Sequence, residues 1–288
     1  MKFMLALAIL SLANIAHAFP TAPFDALKTT IDHSEKSMAD DYDFEGIIKL
    51  NNCSGSLIRF AGQPMTSKAI VLTNGHCYSK GMFGGMLQPN EVVYNKAQAR
   101  DMKIFDKAMK LFPVKATKVL YATMTNTDIA LYELSESYES ILSKYKIESF
   151  TLDSVRPFEG TSIDIVSGFW DRGYSCEIDA FIFNLKEGDW MFTDSIRYTN
   201  GCATVGGTSG SPIIARGTRS VIAINNTANE NGKSCAVNNP CEITQDGKVT
   251  VLKDKKYGQQ TYNIYSCLRP DFNIDLSMAG CVLPKPRS

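Results

Sequence analysis

From Glu45 onward the chain is written in short apolar runs, each bounded by polar or turn-forming residues. "GIIKLNNCSGSLIRF" holds two such runs separated by Asn51-Asn52, and "KAIVLTNGHC" is a buried-looking run that ends in Asn-Gly. "RDMKIF", "FPVKATKVLYATM" and "DIALYELS" follow at close spacing. Many short strands separated by turn signals predict an all-β sandwich or barrel. One stretch departs from this. In "SESYESILSKYK", Tyr138, Ile141, Leu142 and Tyr145 recur at i, i+3, i+4 and i+7, with Glu136, Glu139, Lys144 and Lys146 on the polar face. That spacing predicts a short linking helix. Beyond it β character resumes in "TSIDIVSGF", "SCEIDAFIFN", "DWMFTDSIRY", "SPIIAR", "SVIAIN" and "QTYNIYSC".

The start of the chain has another character. "MKFMLALAILSLANIAHA" runs from Lys2 through an apolar stretch to Ala16-His17-Ala18, the order of an export signal cleaved after Ala18. The run is too short to span a bilayer comfortably, and no later run is long and apolar enough to do so. A protein outside the cytoplasm, secreted or periplasmic, is expected. The organisation read from the chain is residues 1–18 signal, 19–45 extension or propeptide, 46–148 first β-rich half with the linking helix, and 149–288 second half and tail.

Export changes how the cysteines read. All eight follow the signal, and in an oxidising compartment an even number implies four disulfides. Loss of the signal leaves His33 and His76, and no C-x-x-C pair exists, so neither a metal site nor another cofactor is expected. With 30 basic and 30 acidic side chains, the chain has no net field to draw it to nucleic acid or an anionic membrane. A monomer with 44% apolar residues has enough to build a large core.

His33 lies in the loose acidic extension, whereas His76 ends an apolar run. A histidine at a strand end is often structural. If the protein does acid–base chemistry near neutral pH, His76 is the candidate. "VGGTSGSP" packs three glycines around two serines, a setting that can present a hydroxyl beside backbone N–H donors, although Gly-Ser turns are common. Asp128 precedes the apolar "IALYEL". It could form a turn with Asn126 and Thr127, or be a buried acid that orients an imidazole.

Taken together in the order His, Asp, Ser, these motifs resemble the chymotrypsin/trypsin-like serine endopeptidases over roughly residues 45 to 270. "CSGSLI" is similar to C-G-G-S-L-I, "LTNGHC" to L-T-A-A-H-C, "TDIALYEL" to N-D-I-A-L-L-x-L, and "GTSGSP" to G-D-S-G-G-P. The resemblance implies two six-stranded antiparallel β-barrels with the active site in the cleft between them, and peptide or protein substrates. It implies Ser209 as nucleophile, His76 as general base and Asp128 as its orienting acid, with the N–H groups of Gly207 and Ser209 as oxyanion hole. Ser211 takes the place of the second glycine. The resemblance also pairs Cys53 with Cys77 and Cys176 with Cys202. The last four cysteines allow three pairings, of which Cys235–Cys241 and Cys267–Cys281 are favoured.

The chain departs from the family at two places. Thr208 replaces the aspartate that in many animal members pairs with a new N-terminal amine, so that activation switch is not expected, and G-x-S-G-S-P is closer to the bacterial secreted branch that includes glutamyl endopeptidases. The specificity pocket would be lined near Ala203 and by Asn225, Asn226 and Thr227. Ala203 stands where trypsin-like members carry aspartate, which predicts a polar or small-residue pocket. The rival reading is a catalytically silent relative that uses the same fold for binding or adhesion.

Overall fold

In the computed structural model, residues 42–78, 80 and 85–287 are described. The export signal, the extension up to residue 41 and His33 lie outside the described residues.

Six strands build the first barrel: β1 (Ile47–Lys49), β2 (Ser54–Phe60), β3 (Lys68–Thr73), β4 (Val92–Phe105), β5 (Leu111–Thr123) and β6 (Ile129–Ser137). They pair antiparallel in the order β1-β4-β5-β6-β3-β2, and the β1–β2 pairing closes the ring. Period-two alternation is visible in β5, where Val114 and Ala116 are buried while Pro113, Lys115 and Thr117 face out. β3 is buried on both faces, which explains its unbroken apolar run. Ala69 and Val71 pack with Leu57, Val119 and Tyr132. Ile70 and Leu72 pack with Ile58 and Leu131 and with Val221 and Ile224 of the second half.

The linking helix α1 (Tyr138–Tyr145) forms as the periodicity predicts and buries Tyr138 and Ile141. Ser137 caps it, accepting the Ser140 N–H, and Lys146 ends it in the left-handed region at φ 59°. Glu136 belongs to the end of β6 and not to the helix, and from there it meets Lys144 at 2.6 Å. The chain then runs through β7 (Phe150–Leu152).

The second barrel uses β8 (Ser162–Ser167), β9 (Arg172–Glu187), β10 (Trp190–Tyr198), β11 (Pro212–Ala215) and β12 (Ser220–Ala228). A small hairpin, β13 (Cys241–Ile243) and β14 (Val249–Thr250), precedes the last strand, β15 (Lys256–Gln260). The order is β12-β11-β8-β9-β10-β15, again antiparallel, and the β12–β15 pairing closes it. Ile163, Ile165, Tyr174, Ile178, Ile196, Tyr198, Ile213 and Ile222 form its core. β7 lies along the seam, parallel to β2 on one side and to β12 on the other, so the two barrels share one continuous sheet path.

After the 3-10 helix Tyr262–Cys267, the tail crosses back over the first barrel. Ile274, Leu276 and Leu283 join the shared core, and the Tyr94 and Tyr121 hydroxyls donate to the carbonyls of Ile274 and Pro284. The structure contains four disulfides: Cys53–Cys77, Cys176–Cys202, Cys235–Cys241 and Cys267–Cys281. They fit an oxidising compartment. Among the described residues no helix is long and apolar enough to cross a membrane.

Candidate active site

His76 leaves the end of β3 through Asn74-Gly75. A Cβ on Gly75 would lie 1.9 Å from the Thr123 carbonyl oxygen and 2.9 Å from Asp128 Oδ1, so this position admits only glycine. That close approach brings the end of β3 against the β5–β6 turn. There the Asp128 side chain is 1% exposed. Its carboxylate grips one residue at two points: Oδ1 accepts the His76 backbone N–H at 2.9 Å, and Oδ2 lies 2.6 Å from His76 Nδ1. The Asn74 side-chain amide donates to the Asp128 carbonyl at 2.8 Å. With Nδ1–H committed to the carboxylate, Nε2 is the imidazole's acceptor. Asn126 supplies the turn with φ 58°, and the turn is clamped from the second barrel. Asn126 N–H donates to the Met191 carbonyl at 3.1 Å and Thr193 N–H to the Asn126 carbonyl at 2.8 Å. Asn126 and Asp128 thus divide the work of turning and of holding the ring.

Burial disfavours the imidazolium, but the Asp128 carboxylate, by charge and hydrogen bond, and then Glu187 stabilise it. The His76 pKa therefore stands above its ordinary value of 6.5. Cys53, Cys77 and His76 come close together, but both sulfurs are consumed in the disulfide and offer no thiolate to a metal.

Ser209 sits between Gly207 (φ 90°) and Gly210 (φ 79°). A Cβ on Gly210 would lie 2.2 Å from the Ser54 carbonyl oxygen, so glycine is required there by both dihedral and space. Thr208 is buried, and its hydroxyl accepts the Val205 N–H at 3.3 Å while its own N–H donates to the Val205 carbonyl. It closes the turn before the serine locally. Ser209 is held by both barrels: its carbonyl accepts the Ser54 N–H at 2.8 Å, and the next N–H, of Gly210, donates to the Asn225 carbonyl at 3.0 Å. Its hydroxyl donates to the Asn226 carbonyl at 3.2 Å. Ser211 is fully buried.

His76, Asp128, Ser209, Asn225, Asn226 and Thr227 line one cleft of about 590 Å³, partly open to solvent. Ala203 is not brought into that lining. It faces out beside Cys202, which is tied to β9, while its neighbours Thr204, Val205 and Gly206 take the position. Sequence reasoning also missed Glu187 and Trp190, which line the cleft. Both flank the two-residue turn of the β9–β10 hairpin. Glu187 is 9% exposed and accepts the Asn238 N–H at 2.7 Å, and burial raises its pKa. Trp190 donates its indole N–H to the Leu87 carbonyl at 2.9 Å, from the first-barrel side. The signal available in sequence was the Gly188-Asp189 turn between "FIFNLKE" and "WMFT".

Two closed six-stranded barrels with this cleft between them make the fold chymotrypsin-like. No protein-family model and no curated protein sequence matches the chain. Among solved structures, the MamO protease domain from Magnetospirillum magneticum is similar at TM-score 0.48 and 13% identity, over 78% of this chain and 97% of that one. Nocardiopsis protease is similar at TM-score 0.44 and 13% identity, over 76% and 93%. A glutamic acid specific serine protease is similar at TM-score 0.39 and 14% identity, over 75% and 91%.

Proposed function

We propose that this protein is an exported serine endopeptidase, and that Ser209, His76 and Asp128 are its catalytic triad. The observation that carries the reading is the two-point grip of Asp128 on His76, which leaves Nε2 as proton acceptor in a cleft that Ser209 also lines. Ser209 Oγ attacks the scissile carbonyl carbon while its proton passes to His76 Nε2. A tetrahedral oxyanion forms against the N–H groups of Gly207 and Ser209. On collapse the C–N bond breaks and His76 delivers its proton to the departing amine. Water then repeats the sequence on the acyl-enzyme, regenerating Ser209 and releasing the acid. The four disulfides support the exported location. Any trimming of the extension is expected N-terminal to Tyr42, since Phe44 is buried against Phe105 and Asp43 pairs with Arg219 at 2.7 Å.

The test is a fluorophosphonate probe on the purified mature protein. Adduct at Ser209, lost in His76→Ala, is the expected result. A well-folded protein that never labels would instead favour the silent binding module. Among the described residues the cleft lining holds Asp128, Glu187 and Glu230, and its one basic side chain is His76, which Asp128 already engages. Among the described residues, therefore, the likeness to glutamyl endopeptidases in "GTSGSP" does not extend to a further cation for an acidic side chain.

A general base must be unprotonated, so kcat/KM is expected to rise with pH along a limb centred above 6.5, in the direction of the His76 shift. Glu187→Gln removes one of the two charges that favour the imidazolium. The limb should then move to lower pH, and a limb that stays in place would remove Glu187 from the electrostatics of His76.

A further inference from the structure

Every carbonyl from Val205 to Ser209 has a donor. Val205 O accepts the Thr208 N–H at 3.0 Å, and Gly206 O accepts Trp170 Nε1–H at 2.7 Å. Gly207 O accepts the Ser54 hydroxyl at 3.3 Å. Thr208 O accepts Asn225 Nδ2–H and the Ser211 N–H, both at 3.1 Å. Ser209 O accepts the Ser54 N–H at 2.8 Å. A trans peptide points its N–H opposite its C=O. Whatever holds the Gly206 carbonyl therefore aims the Gly207 N–H, and whatever holds the Thr208 carbonyl aims the Ser209 N–H.

These two peptides differ in how firmly they are held. The Thr208–Ser209 peptide is fixed by two donors, one from a buried side chain. The Gly206–Gly207 peptide joins two glycines, whose backbone dihedrals are open to either orientation of the peptide. Its carbonyl is held by one indole. Trp170 is itself well anchored: its backbone N–H donates to Ser167 Oγ at 3.3 Å, and its ring meets Phe169 edge to face at 4.9 Å. The Phe169 N–H donates to Ser54 Oγ, which also bonds Ser167 Oγ at 3.0 Å. A Cβ on Gly207 would lie 2.6 Å from Phe169 and 2.9 Å from Trp170 Nε1, so this aromatic pair is packed directly on the peptide.

We propose that Trp170 is a positioning residue: its indole N–H, by holding the Gly206 carbonyl, keeps the Gly207 N–H turned toward the developing oxyanion. The proposal rests on the serine endopeptidase reading. Without the indole donor the peptide can turn over and present a carbonyl where a donor is needed. The lost interaction is one that strengthens only as charge develops on the substrate oxygen, so the effect falls on kcat.

Trp170→Phe keeps an aromatic ring over Gly207 and removes the donor. With Tm close to that of the parent, kcat is expected to fall about 10- to 100-fold with KM within about twofold. The lower end applies if the peptide only partly turns over, and the upper end approaches outright loss of an oxyanion donor, about 10²–10³-fold. Affinity for a peptide boronate, whose tetrahedral adduct carries the anionic oxygen, should fall in parallel, while a non-covalent product peptide binds as before. Crystal structures of the parent and of Trp170→Phe supply a readout independent of turnover. A rotated Gly206–Gly207 peptide in the variant supports the positioning role, and an unchanged one overturns it. Unchanged kcat and boronate affinity would overturn it as well, as would equal losses of boronate and product-peptide binding. If the parent itself neither labels with fluorophosphonate nor cleaves, the endopeptidase reading fails, and the peptide orientation still decides whether Trp170 controls it.

Discussion

Ser209→Ala is expected to lower kcat by roughly a millionfold, the loss seen when a triad nucleophile is deleted, and to leave the fold intact. Among the described residues the hydroxyl makes one hydrogen bond, to the Asn226 carbonyl at 3.2 Å. The contacts that hold the loop belong to the backbone of residues 209 and 210, which alanine retains. The measurement is single-turnover hydrolysis of a cleavable peptide, with near-ultraviolet circular dichroism as the control for folding. Loss of activity with an unchanged spectrum places the chemistry on the hydroxyl. Retained activity would remove Ser209 from the reaction and sink the proposed mechanism. Residual acceleration over water is expected in the variant, because backbone donors and the substrate cleft remain.

Asp128→Asn is the second large effect, about 10⁴-fold in kcat by analogy with the same change in a known triad. The physical reason is specific to the grip described above. Oδ1 holds the His76 N–H and Oδ2 faces Nδ1 at 2.6 Å. An amide keeps one oxygen, which can satisfy either the backbone or the ring, and its NH₂ group faces the remaining partner. If that partner is the ring, Nδ1 must become the acceptor, and the proton moves to Nε2, where the base is needed. The loss should therefore ease as pH rises and hydroxide substitutes for the base. A loss below about tenfold would show that the carboxylate does not set the tautomer. The change also removes the main charge that raises the His76 pKa, so in ¹H–¹⁵N spectra the ring is expected to titrate at lower pH than in the parent.

Much of the fold was written locally. Unbroken runs such as "KAIVLT" become strands buried on both faces, and the spacing of Tyr138, Ile141 and Tyr145 becomes a capped helix. Strand β4 was legible only in its last part, "RDMKIF". Its earlier residues, Val92 to Gln98, are half-buried or exposed and show no apolar alternation to read. His76, Asp128 and Ser209 were each set among residues that their geometry requires, such as Gly75 and Gly210, for which a Cβ has no room. Glu187, Trp190 and Trp170 were not legible. Each reaches the site through a contact distant in sequence: Glu187 to Asn238, Trp190 to Leu87, Trp170 to Gly206. Turn chemistry marks the ends of a hairpin but not which face of another barrel it meets. Ala203 shows the same limit at the scale of one residue. Reading back from Ser209 by count selects it, but in this irregular segment Ala203 is exposed while Thr204 is buried and lines the cleft.

Ser54 has a wider consequence. It belongs to the first barrel, follows Cys53 of the first disulfide directly, and holds Ser209 of the second barrel through its backbone N–H. Its carbonyl accepts the Thr73 hydroxyl at the end of the strand that leads to His76. The loop that carries Ser209 and the strand that leads to His76 thus hang from one residue, which lies in the first barrel and reaches across to the second. A chain in which either barrel is open, or the halves have not docked, does not bring these residues together. On the endopeptidase reading proposed above, such a chain is an inert polymer, and activity arises only as the last act of its folding.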